Sequence, residues 1–91
     1  MYTLEWTPSF SKAAKKFAKQ HPELKQKITG VLYALEQDPF QSALRLHALS
    51  GNMKGVYAVS ITYSYRIILT LKVSDQIITL LDIGDHDAVY R

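Results

Sequence analysis

Apolar positions along the chain change period from two to three-and-a-half and back to two, and each change marks an element. Tyr2 to Trp6 alternates and is rich in β-formers, which predicts a short strand. Thr7-Pro8 then supplies a capping hydroxyl and a first-turn proline, the signature of a helix start. Phe10, Ala13, Ala14, Phe17 and Ala18 follow at spacings i, i+3, i+4, i+7 and i+8, one apolar stripe at helical period. Gln20-His21-Pro22 interrupts it, and Pro22 opens a second helix whose stripe is Leu24, Ile28, Val31, Leu32 and Leu35, ending at Asp38-Pro39. So short a joint predicts an antiparallel helix hairpin. Gly30 inside the second helix costs about 1 kcal/mol relative to alanine, and the sequence offers no account of it beyond close packing.

Residues 39–55 read as irregular, with Gly51-Asn52 and Gly55 as turn signals. Three strand-like runs follow, Val56 to Thr62, Arg66 to Val73 and Gln76 to Ile83. They are joined at Tyr63-Ser64-Tyr65 and at Ser74-Asp75, a three-strand antiparallel meander. The last two runs are apolar on both faces: helices cover one, and the other is left partly exposed or available to a partner. The expectation is a single α+β domain over residues 1–91, an N-terminal strand and helix hairpin packed on a twisted antiparallel sheet.

Composition narrows the chemistry. Apolar residues make up 47% of the 91 positions, enough for a modest core. There is no cysteine, which removes disulfides, zinc–thiolate sites and thiol nucleophiles together. No run approaches the roughly 18 apolar residues of a membrane helix, and the start of the sequence lacks a basic-then-apolar leader, so the expected compartment is the cytoplasm. Net charge is +3, but its distribution says more. Six of the eight lysines lie between positions 12 and 27 with one acid, Glu23, while four of the eight acids fall from Asp75 onward. Lys12, Lys15, Lys16 and Lys19 occupy the helix face left by the first apolar stripe. Such a stripe is either a solvated face or a surface for a polyanion.

Candidate chemistry collects late in the chain. Folding the last two strands together puts Arg66 opposite a residue near Ile83, give or take one, and places His86 a short step beyond. Arg66 is then either a strand-end cation reaching solvent or an anion clamp, since a planar guanidinium matches phosphate in a bidentate way. His86 sits between Asp85 and Asp87; a flanking carboxylate favours its protonated form and suits it to donate a proton near neutrality. Read blandly, the segment is a polar tail. A metal site finds little support with one local histidine and no cysteine. His47 is held between the apolar Leu46 and Ala48-Leu49, and His21 at the helix joint reads as structural. RNA can be cut by its own 2′-hydroxyl, given a base, a cation for the phosphorane and an acid for the leaving 5′-oxygen. His47, Arg66 and His86 supply these three functions if they converge, without metal or organic cofactor.

Four segments in order carry a resemblance: Leu46-His47-Ala48-Leu49-Ser50-Gly51, Lys54-Gly55-Val56-Tyr57, Tyr65-Arg66-Ile67-Ile68-Leu69, and Gly84-Asp85-His86-Asp87-Ala88-Val89-Tyr90. Together with the preceding strand and helix pair, they resemble the RelE/ParE toxin superfamily over nearly the whole chain. The likeness is best to its histidine-using messenger-RNA-cleaving branches, the YafQ-like and YoeB-like toxins. The resemblance implies two helices on a twisted sheet of four or so strands. It also implies a toxin of a type II toxin-antitoxin system, a cognate antitoxin that wraps it, and cleavage of mRNA on the ribosome. It assigns His47 as base, Arg66 as phosphate stabiliser, His86 as acid and Tyr90 as a stacking or phosphate-orienting residue. Lys54 and the helix lysines would contact RNA. The chain departs from the YafQ-like pattern at Ser60 and Ser64, where that branch carries a further histidine and aspartate. Two other readings stay open: a ParE-like inhibitor of DNA gyrase that cuts no RNA, and a non-toxic relative or interaction module using the open sheet face.

Overall fold

The computed structural model describes residues 1–49 and 55–85. In chain order it contains β1 (Thr3–Trp6), α1 (Pro8–Gln20), a 3₁₀ turn (Pro22–Leu24) and α2 (Lys25–Gln37). A second 3₁₀ turn (Ser42–Leu44), β2 (His47–Ala48), β3 (Val56–Ser60), β4 (Tyr65–Lys72) and β5 (Ile77–Asp85) follow. The five strands form one sheet in the order β1-β5-β4-β3-β2. The meander β3-β4-β5 and its outer neighbour β2 are antiparallel, as the alternation predicts. β1 instead lies parallel to β5, with Leu4 opposite Ile78 and Trp6 opposite Leu80, so the sheet is mixed. The crossover needed between parallel neighbours is supplied by everything between them, including both helices. Pro22 opens a single 3₁₀ turn, and the α-helix starts only at Lys25.

Both helices pack on one face of the sheet. Phe10 and Phe17 of α1 and Val31 and Leu35 of α2 meet Val59, Ile61, Ile67, Leu69, Ile78, Leu80 and Ile83 in a single cluster. The odd residues of β4 therefore face the helices, and Ile68 faces away. In β5 the parity changes midway: Ile68 pairs with Asp82 but Leu69 with Leu80, leaving Leu81 as a bulge. That extra residue lets Ile78, Leu80 and Ile83 all reach the same core, and it sets Arg66 opposite Gly84. The sequence-based pairing of Arg66 near Ile83 is thus met within one residue. On the far face Ala58 and Ile68 are buried, with Leu49, Val56 and Leu81 around them, so the centre of the face expected to be open is closed.

Thr7 joins the layers where β1 ends. Its hydroxyl oxygen accepts the Phe10 N–H at 3.1 Å, capping α1, and its proton goes to the Leu80 carbonyl at 2.7 Å. Thr7→Val keeps the shape and removes both bonds. It is expected to lower unfolding stability by about 1–2 kcal/mol, read as a lower urea midpoint at unchanged slope.

The connections are longer than the sequence suggests. β3 stops at Ser60 and resumes as β4 at Tyr65, so residues 61–64 turn, closed by the Ile61 N–H on the Tyr65 carbonyl at 2.9 Å. Val73 to Gln76 make the next turn, with Gln76 in the left-handed region at φ 55°. Residues before β2 also hold more order than expected. Gln41 donates from its amide to the carbonyls of Ala34 and Asp38, both at 3.0 Å, and so closes the end of α2. Among the described residues nothing packs closely on Gly30: a Cβ built there meets none of their atoms within 4 Å.

Candidate functional site

β2 is only two residues long, yet it fixes where His47 stands. Leu46 reaches the helix-side core and Leu49 the far-side cluster, while the Leu49 N–H donates to the Val56 carbonyl at 2.9 Å. Between them His47 pairs with Ala58, Ala58 with Ile68, and Ile68 with Asp82. Directly opposed residues share a sheet face, so these four form one row on the face away from the helices. Arg66 lies two residues before Ile68, in the next row, between Ser60 and Gly84. His47 and Arg66 therefore stand in adjacent rows. Two strand spacings across and two residues along place their Cα atoms about 12 Å apart.

Each side chain is oriented by its own backbone. The Nδ1 of His47 lies 2.9 Å from the Arg45 carbonyl, which can only accept, so Nδ1 carries the hydrogen and Nε2 is the basic nitrogen of the neutral ring. Arg45 itself is left-handed at φ 53°, an uncommon state for a residue with a Cβ. Sequence reasoning missed this support, because the usual signal for such a position is glycine or asparagine. Arg66 turns its Nη1 onto the β3–β4 turn, donating to the carbonyls of Thr62 at 2.7 Å, Tyr63 at 2.8 Å and Tyr65 at 3.2 Å. Its Nε is buried and has no hydrogen-bond partner among the described residues. A buried donor left unpaired is costly, about 1–3 kcal/mol, so an acceptor arriving from outside would relieve it. Nε and Nη2 make up the edge through which a guanidinium grips an oxyanion in bidentate fashion.

Lys12, Lys15, Lys16 and Lys19 are all exposed on α1, and Lys16 lines a groove with Tyr65, Gly84 and Asp85 at the end of the sheet that carries Arg66. His21 is structural, as its place at the helix joint suggests. It lies against Phe17 and Tyr65 at ring-centroid distances of 4.7 Å and stands 3.5 Å from the Glu23 carboxylate. Lys54, His86 and Tyr90 fall outside the described residues; the last described position, Asp85, pairs with Tyr65, the neighbour of Arg66. Two further polar residues stand in these rows. Ser60 is paired with Arg66, and the exposed Asp82 ends the His47 row, its carboxylate accepting the Ile83 N–H at 2.8 Å. The sequence showed Asp82 only as part of an acidic end. Among the described residues no cluster of three or more histidine or acidic side chains is placed to hold a metal. None of their helices is long and apolar enough to cross a membrane.

A sheet of this order with both helices on one face is shared with solved structures of small bacterial toxins. YafQ from E. coli strain BL21(DE3) superposes with a TM-score of 0.81 at 19% identity, all of each chain being covered. The YoeB/ParE toxin from Agrobacterium tumefaciens gives 0.77 at 22% identity, over 94% of this chain and 99% of that one. The toxin chain of the E. coli DinJ-YafQ complex gives 0.72 at 20% identity, again with full coverage of both. At these identities the likeness is one of fold. The chain belongs to the YafQ family of bacterial toxins of type II toxin-antitoxin systems, whose family model matches residues 2–91. No curated protein sequence matches it.

Proposed function

We propose that this toxin is an endoribonuclease that cuts messenger RNA on the ribosome by metal-free attack of the substrate's own 2′-hydroxyl, and so stops translation. The observation that carries the reading is the common sheet position of His47 and Arg66, with the histidine Nδ1 held on the Arg45 carbonyl and the arginine Nη1 on the β3–β4 turn. Nε2 of His47 takes the proton from the 2′-hydroxyl as its oxygen attacks phosphorus. Arg66 neutralises the charge that builds on the non-bridging oxygens, and His86 protonates the departing 5′-oxygen. The products are a 2′,3′-cyclic phosphate and a free 5′-hydroxyl. Tyr90 orients the phosphate or stacks on a base, and Lys54 holds the RNA backbone. The exposed α1 lysines contact the RNA through its phosphates.

The family membership and the DinJ-bound YafQ structure support a cognate antitoxin as the physiological partner. A toxin with this activity acts in the cytoplasm, where ribosomes translate. The test is to map mRNA ends on translating ribosomes with the wild-type chain and with Arg66→Ala. New ends that vanish in the variant are the expected result. Intact transcripts with gyrase-linked DNA breaks would replace this reading by that of a gyrase poison. Salt gives an independent check: log efficiency should fall linearly with log salt, and less steeply when Lys12, Lys15, Lys16 and Lys19 are changed to glutamine.

A further inference from the structure

Between α2 and the β3–β4 turn runs an open groove of about 570 Å³, to which the proposed chemistry assigns nothing but one wall, Arg66. Its α2 wall is Lys27, Gly30, Val31 and Ala34, positions i, i+3, i+4 and i+7 on one helix stripe. Three observations make it a site rather than a crease. The first is charge: Lys27, Arg45 and Arg66 all line it, no acid does, and none of the three forms an ion pair among the described residues. The second is the floor, where Val31, Leu44 and Ile61 offer apolar surface between those cations, while Tyr63 stands 91% exposed at the rim. Aromatic and arginine side chains around an apolar centre are the composition of a protein interface.

The third is Gly30. A glycine in mid-helix costs about 1 kcal/mol, and none of the described residues uses the space it leaves, since a Cβ there meets none of their atoms within 4 Å. The room serves an occupant from outside.

We infer that this groove receives a segment of the cognate antitoxin in which apolar residues alternate with acidic ones. This rests on the toxin–antitoxin part of the proposed function and is independent of RNA cleavage. Apolar side chains of the segment lie on Val31 and Leu44 in the width left by Gly30, and its carboxylates pair with Lys27 and Arg45. An RNA strand fits less well, because the floor offers aliphatic surface rather than a ladder of stacking rings, Tyr63 being the single aromatic among the lining residues.

The experiment measures binding of the purified antitoxin of the same gene pair by calorimetry, with mRNA cleavage assayed alongside. The variants are Gly30→Leu, which adds a good helix former where nothing obstructs it, and the pair Lys27→Glu with Arg45→Glu. Gly30→Leu should melt no lower than the wild type, cut RNA at the wild-type rate and bind antitoxin at least tenfold more weakly. The charge-reversed pair should lose at least tenfold as well, and its deficit should shrink as salt rises. Unchanged affinity in both overturns the inference, as does lost cleavage with antitoxin binding intact, which would give the groove to RNA. A wild-type chain that binds antitoxin through the groove yet cuts nothing would refute the nuclease reading while upholding this one.

Discussion

Arg66→Ala is expected to slow RNA cleavage roughly 100- to 1,000-fold, equivalent to about 3–4 kcal/mol of transition-state stabilisation. In the pentacoordinate phosphorane negative charge grows on oxygens that the ground state leaves less charged, and a fixed cation there acts on the barrier more than on binding. The three carbonyl bonds of Nη1 fix the guanidinium plane, so the cation's position is set by the fold. Arg66→Lys separates charge from geometry. A lysine keeps the cation but has neither the planar fork nor reach to several carbonyls at once, and should recover little of the lost rate. Because those bonds also close the β3–β4 turn, alanine should cost about 1–3 kcal/mol of stability. Single-turnover cleavage below the melting transition, with a urea curve for each variant, keeps the two effects apart. A lysine variant cutting at the wild-type rate would remove Arg66 from the proposed site.

His47→Ala should lower the single-turnover rate by roughly 100- to 10,000-fold, the range of a positioned general base. The backbone makes the histidine suitable: the left-handed turn at Arg45 aims a carbonyl at Nδ1, and that bond determines which nitrogen is basic. His47→Gln retains hydrogen bonding but cannot take the proton, and should be as impaired as alanine. The companion substrate carries hydrogen in place of the 2′-hydroxyl at the cut site. It should resist the wild-type toxin while binding it normally. Cleavage of that substrate would mean that another nucleophile operates and that His47 has a different task.

Much of this molecule is written in periodicity. The stripe Phe10 to Ala18, the proline after Thr7 and the stop at Asp38-Pro39 locate both helices, because a helix buries one face and needs a cap and a breaker whatever surrounds it. The same local rules gave the meander and put Arg66 within one residue of its partner. They also singled out His47, though as a loop residue, since a two-residue strand has no period to read. What local rules could not reach was decided by long-range pairing. The parallel seating of β1 beside β5, the bulge at Leu81 and the left-handed Arg45 each answer to residues far along the chain or to backbone geometry with no glycine to announce it. The bulge matters most for chemistry, since one inserted residue flips the face of everything after it.

The sequence by itself determined the element types, the two-layer build, the absence of thiol chemistry and the residues capable of acid–base and phosphate chemistry. Each of these depends on the residue itself or on neighbours within a few positions. Only the tertiary structure decided that His47 and Arg66 stand in adjacent rows of one sheet, and that Gly30 opens onto a basic groove. Those are facts of register and layer order, and they exist only once strands distant in the chain have paired.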